Sequence, residues 1–198
     1  MTPWLGLIAA YLLGSIPNSY IAGRLTRRID LREHGSGNLG ATNTFRVLGA
    51  AVAIPVLLLD VAKGWIPAWF FPQWDSSPAW HWALLYGAAA IIGHVFSAFL
   101  RFRGGKGVAT AAGVFLALSP VAVLVSFGVW ALTVWRSRMV SLGSILAAFT
   151  LILMLAVSER RPELLVLGVS VTAFVVWGHR ANIGRIRRGE EPRFGRAS

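Results

Sequence analysis

The sequence predicts an all-α, polytopic membrane protein, and three observations predict it. Hydrophobic residues make up 56% of the 198, with a mean hydropathy of +0.62, too apolar for an ordinary water-soluble domain. Apolar runs recur near or above the ~20 residues that a helix needs to cross the hydrocarbon core. The 19 Lys and Arg residues gather in particular segments between those runs, the pattern of cytoplasmic loops. The formal charge of +11 therefore speaks of membrane orientation before nucleic acid, and no nucleic-acid partner is expected. Cysteine is absent, which excludes disulfides and thiolate metal sites. No hydrophilic block is long enough to fold separately, so residues 1–198 read as one membrane domain, with 179–198 as a short, basic, partly disordered tail.

Seven crossings follow, with the N-terminus out and the C-terminus in. The first run, 4–23, lacks a basic leader and is long, so it reads as a retained span rather than a cleaved signal. A polar loop, 24–46, carries Arg24, Arg27, Arg28, Arg32 and Arg46 against Asp30 and Glu33. The second span, 47–71, holds Asp60 and Lys63, and the loop 72–80 has no Lys or Arg. The third span, 81–100, leads into a glycine-rich turn. The run 108–135 is either one tilted helix or a hairpin hinged at Ser119-Pro120, and charge decides. As a hairpin, though each arm of about 14 residues barely crosses, it places 16 of the 19 basic residues on the cytoplasmic side, leaving Arg160 and Arg161 outside and Lys63 within a span. Spans 139–157 and 164–178 complete the set. Trp69, Trp74, Trp80 and Trp82 on the outer side, with Trp135 and Trp177 on the inner, fit interfacial belts.

On this topology the unusual polar groups collect at the cytoplasmic face. The stretch 101–110, R-F-R-G-G-K-G-V-A-T, opens a helix at Val108. Glycines let successive N–H groups turn toward one anion, the helix start adds its positive dipole end, and Lys106 adds a full charge. A Walker A loop would need Ser or Thr after the lysine, and Gly107 stands there, so by itself the stretch reads equally as a phosphate cradle or a basic connecting turn. The loop 34–46 combines Gly35, Gly37 and Gly40 with Ser36, Asn38, Thr42, Asn43 and Arg46. Helix capping explains Thr42 and Asn43 alone, whereas a ligand site explains the whole set. Ser141 with Ser144, and His179 with Asn182, are pairs three residues apart on a helix face, and spacing alone suits helix contacts as well as ligand contacts. Asp60 and Lys63 share that spacing inside the membrane, where they either neutralise each other or serve function. His94 reads as a packing residue. Asp30, Glu33, Glu190 and Glu191 stand among arginines, where solvated ion pairs are expected; that argues against carboxylate-pair glycosidase chemistry and two-metal sites, and no metal or other cofactor is expected.

Three ordered motifs, G-S-G-N-L-G-A-T-N-T-F-R at 35–46, G-G-K-G-V-A-T at 104–110 and H-R-A-N-I-G-R at 179–185, resemble the bacterial membrane glycerol-3-phosphate acyltransferases that use acyl phosphate, the PlsY family. The segments around Asp60 and Lys63 and around Ser141 also look familial, so the similarity covers essentially the whole chain. The resemblance implies acyl transfer from acyl phosphate to the 1-hydroxyl of glycerol 3-phosphate, giving lysophosphatidate and phosphate, at the cytoplasmic face of the bacterial inner membrane. It marks Ser36, Arg46, Lys106, His179 and Asn182 as catalytic. It assigns substrate binding to Asn38, Asn43, Gly104, Gly105, Gly107, Val108, Ala109, Thr110 and Ser141. It also implies membrane lipid as surroundings and hand-over from a soluble enzyme that makes acyl phosphate. Two alternatives stay open: an organic-phosphate transporter, which the lack of an inverted repeat disfavours, and an acyltransferase drawing on acyl-CoA or acyl carrier protein.

Overall fold

A computed structural model describes residues 1–76, 79–159 and 161–194. Ser77 and Pro78 of the outer loop, Arg160 and residues 195–198, with Arg196 of the basic tail, lie outside the described residues. Every regular element among the described residues is helical. By internal contacts the chain divides into two compact units, Met1–Leu118 and Ser119–Ser198.

The first unit contains α1 (Pro3–Ser15), α2 (Asn18–Arg27), α3 (Ala41–Leu48), α4 (Ala50–Phe70), α5 (His81–Val95) and α6 (Val108–Leu118). The first predicted span is broken at Ile16-Pro17, since proline has no N–H to continue the ladder. The carbonyl of Ile16 at this break accepts a hydrogen bond from Lys63 Nζ at 2.8 Å. Within hydrocarbon, where water cannot satisfy a broken helix, such a partner is what makes the interruption tolerable. The α4–α6 contact is built on glycine: a Cβ on Gly64 would lie 2.1 Å from Thr110 O, and one on Gly113 2.0 Å from Val61 O. Only hydrogens at these two positions let the backbones come so close, the usual device where lipid removes any hydrophobic drive between helices.

The second unit contains α7 (Pro120–Ser137), α8 (Val140–Ser158), α9 (Pro162–Gly178) and α10 (Arg180–Arg187). Thr172 Oγ1 donates to Ala148 O at 3.0 Å, joining α9 to α8, and Ser119 Oγ donates to Glu159 Oε1 at 2.7 Å, tying the start of α7 to the end of α8.

Among the described residues, five stretches are long and apolar enough to cross a membrane: Pro3–Arg27, Ala50–Trp74, His81–Leu100, Pro120–Ser137 and Val140–Ser158. A sixth is α9 with α10, if their 58° bend is counted within one span. The run 108–135 breaks at Ser119, where the hinge was expected. Its arms are unequal: α6 has 11 residues and α7 has 18. At 1.5 Å per residue α6 extends only about 16 Å, about half the hydrocarbon thickness. Beyond α9 the tail departs from the expected disorder. It forms α10, turns at Gly189 (φ 74°), and ends in a bond from Phe194 N–H to Arg138 O at 2.6 Å.

Candidate active site

In the first unit, the loop between α2 and α3 is shaped from inside by two buried residues. Asn43 donates through Nδ2 to Leu31 O at 3.1 Å and His34 O at 3.0 Å, and its Oδ1 accepts the Ser36 N–H at 2.8 Å. The amide thus spends both donors on the loop, and Asn43 holds the curve on which Ser36 sits. Asp30 is also buried, against the expectation of a solvated pair. Arg32 grips its two oxygens with Nε at 3.0 and 3.1 Å and Nη2 at 2.6 Å, and those hydrogen bonds hold the carboxyl below the usual Asp range despite the opposing effect of burial. On this frame Ser36 and Arg46 are exposed and Asn38 is half-buried. None of these three side chains has a hydrogen-bond partner among the described residues.

The glycine turn lies against that loop. A Cβ on Gly105 would stand 2.3 Å from Leu39 O, so two motifs more than sixty residues apart in sequence are in backbone contact. The turn begins with two consecutive left-handed residues, Arg101 (φ 53°) and Phe102 (φ 60°). It then runs back along the end of α5, with Gly104 N–H donating to Val95 O at 2.8 Å and Gly105 N–H to His94 O at 3.2 Å. Those two N–H groups are therefore used by the fold and are not offered to an anion. The donors left for one are the first-turn N–H groups of α6, which no helix can pair internally. Gly107 (φ 78°) makes the reversal into that helix. Lys106, Val108 and Ala109 are half-buried there, and Thr110 is fully buried with Oγ1 lacking a hydrogen-bond partner among the described residues.

The second unit gathers Ser141, Asn182 and Arg185 around a residue expected from the sequence to lie in solvent. Glu191 is 4% exposed. Its Oε1 accepts from Ser141 Oγ and Asn182 Nδ2, both at 2.6 Å, and its Oε2 from Arg185 Nε at 2.8 Å. Burial pushes this carboxyl up, but the three donors outweigh burial and leave it below the ordinary Glu value. Ser141 has one hydroxyl proton and gives it to Glu191, so the expected substrate contact of Ser141 is not free to donate in this arrangement. The Gly189 turn ahead and Pro192 behind were the only sequence hints of an ordered strap. His179 stands at the α9–α10 bend with Nδ1 2.8 Å from Val175 O. A carbonyl only accepts, so Nδ1 carries the hydrogen, and in neutral imidazole Nε2 is the acceptor.

Comparison with known proteins bears on the whole chain. The sequence model of a family described as glycerol-3-phosphate acyltransferase matches residues 4–189. The chain belongs to that family. Relatives named glycerol-3-phosphate acyltransferase include one from Trichlorobacter lovleyi, 47% identical over 98% of this chain and 99% of its own, and one from Syntrophotalea carbinolica, 44% identical over 95% of each. The crystal structure of PlsY, an integral membrane glycerol 3-phosphate acyltransferase, in its glycerol 3-phosphate form matches with a TM-score of 0.91 and 40% identity, covering 98% of this chain and 96% of that one. Its lysophosphatidic acid form matches with a TM-score of 0.87 at the same identity, covering 98% and 95%. With its several crossing helices, this acyltransferase is a multi-pass membrane protein.

Proposed function

We propose that this protein transfers a fatty acyl group from acyl phosphate to the 1-hydroxyl of glycerol 3-phosphate, releasing lysophosphatidate and inorganic phosphate. The contact between the glycine turn and the 35–46 loop carries this reading, because it sets a cationic, N–H-rich turn beside unpartnered hydroxyl, amide and guanidinium groups. The related PlsY structures with glycerol 3-phosphate and lysophosphatidic acid support the acceptor and the product. In this reading the chain is a single catalytic domain crossing the inner membrane of a bacterium seven times. Its N-terminus is outside, and the site faces the cytoplasm, where a soluble enzyme hands over acyl phosphate.

Gly107 to Thr110 and Lys106 take the phosphate of the donor, Ser36 and Asn38 the glycerol, and Arg46, His179 and Asn182 complete the anion binding. Acyl phosphate is a mixed anhydride with a good leaving group, so fixing two anions and stabilising the tetrahedral oxyanion supplies most of the acceleration. The acceptor hydroxyl oxygen bonds to the acyl carbon, the carbon–oxygen bond to phosphate breaks, and the hydroxyl proton passes to a donor phosphate oxygen. No protein nucleophile is required. The His179 tautomer favours a second reading, in which Nε2 takes that proton.

Purified protein given acyl phosphate and glycerol 3-phosphate should release phosphate, and Lys106→Ala should lower kcat/KM by ~100-fold or more. Turnover with acyl-CoA or acyl carrier protein but not acyl phosphate refutes the donor assignment, and no lysophosphatidate formation with any donor would favour a carrier. His179→Gln separates the two proton routes. An unchanged pH–rate profile leaves the phosphate as base, and loss of its acidic limb assigns that role to His179.

A further inference from the structure

We propose that Asp60, Lys63 and His94 are positioning residues for acyl transfer, a buried ion pair and imidazole that hold the glycine turn in its phosphate-receiving shape. The proposal rests on the assignment of that turn to the donor phosphate. Asp60 and Lys63 are 2% and 4% exposed on α4, with Nζ and Oδ1 2.9 Å apart. A pair that only cancelled its own charge would be tied to nothing else, but each partner here binds a second segment. Asp60 Oδ1 also accepts from Asn18 Nδ2 at 2.9 Å, and Lys63 Nζ donates to Ile16 O at 2.8 Å, so the pair pins both sides of the α1–α2 break.

His94, on α5, links this pair to the turn. Its Nδ1 stands 3.8 Å from Asp60 Oδ1 and has no hydrogen-bond partner among the described residues. The opposite ring atom, Nε2, is so close to Gly105 that a Cβ there would be 2.4 Å away. The carbonyl of the same residue accepts the Gly105 N–H. Ring and backbone of His94 thus fix Gly105, the residue immediately before Lys106. Asp60, Lys63, His94, Gly104 and Gly105 also line one cavity of about 10 Å³, room for a single water molecule, so the charged pair and the turn share a wall. Three polar side chains buried among membrane helices are costly where packing alone would accept Leu or Phe. Holding the turn is the task that their contacts describe.

The test measures kcat, both KM values and thermal unfolding of detergent-purified full-length variants. His94→Ala removes the support beneath Gly105 and should raise KM for acyl phosphate ~10-fold or more, with KM for glycerol 3-phosphate within ~2-fold. His94→Gln, whose amide reaches toward the Nε2 position, should recover most of that loss. Asp60→Asn combined with Lys63→Met removes both halves of the buried pair, which folding tolerates far better than removing one; it should fold and still raise the donor KM. Folded variants with the wild-type donor KM, changed only in the active fraction, overturn the proposal. Failure of all three to fold overturns it too, in favour of a role in folding alone. A wild-type protein that ignores acyl phosphate would instead sink the donor assignment, and the two failures are distinct.

Discussion

Gly64→Ala adds one methyl group where α4 meets α6. Its Cβ would stand 2.1 Å from the carbonyl oxygen of Thr110, whereas ordinary contact begins at 3.4 Å, so one backbone must retreat by roughly 1.3 Å. The obstacle is backbone, and no rotamer relieves it. Overpacking of this kind costs about 1–3 kcal/mol of stability. The larger effect falls on catalysis, because Thr110 closes the first turn of α6, whose N–H groups are the donors proposed for the phosphate. A displacement near 1 Å at a reacting group costs up to ~100-fold in rate. Initial rates of lysophosphatidate formation by the purified protein, read beside its thermal unfolding, measure both effects. Gly128→Ala on α7 is the control, since its Cβ would meet nothing within 4 Å; it should keep activity and gain up to ~1 kcal/mol of helix stability. A Gly64→Ala protein with wild-type rate and wild-type unfolding would refute the view that this contact sets the position of the turn.

Asn43→Ala deletes three hydrogen bonds, leaving the Leu31 carbonyl without a donor and the His34 carbonyl with only the Gly37 N–H; a loss of about 2–4 kcal/mol and a raised KM for glycerol 3-phosphate are expected, by unfolding and steady-state kinetics. Ser141→Ala should lower thermal stability by about 1–2 kcal/mol while leaving KM within ~3-fold, because the hydroxyl serves Glu191; a KM rise above ~10-fold would return Ser141 to the substrate. Glu191 is held below its ordinary value in the folded protein. Its stabilisation is therefore complete above the unfolded Glu pKa, about 4.3, and is lost as pH falls through the lower folded value. Glu191→Gln should be less stable than wild type at pH 7, and its stability should decline less between about pH 5 and 3, as thermal unfolding across that window would report.

Helices and loops were legible in the sequence because lipid permits few spanning structures and charge marks the sides. The hinge at Ser119-Pro120 could be placed since proline lacks the N–H that a helix interior needs. The brevity of α6 could not, because apolar residues 108–118 and 120–137 read alike in composition. Among the site residues, glycine spacing and the basic motifs pointed to the turn and the 35–46 loop, and Leu39 against Gly105 joins them. What the spacing could not show is that the first two glycines of the turn lie against α5 and spend their N–H groups there. Asp30 and Glu191 were expected in solvent and are buried, for one reason. A polar side chain beside arginines looks the same in sequence whether it faces water or is enclosed by donors, and only the folded chain shows which.

The strap after α10 bears on how the chain can be shortened. A version ending at Arg188 would look harmless, since it removes ten polar-rich residues beyond the last helix. It would also withdraw the anion that answers Arg185, Asn182 and Ser141, and the Phe194–Arg138 bond that fastens the end of the strap. Trimming into Glu191 should behave like a core mutation.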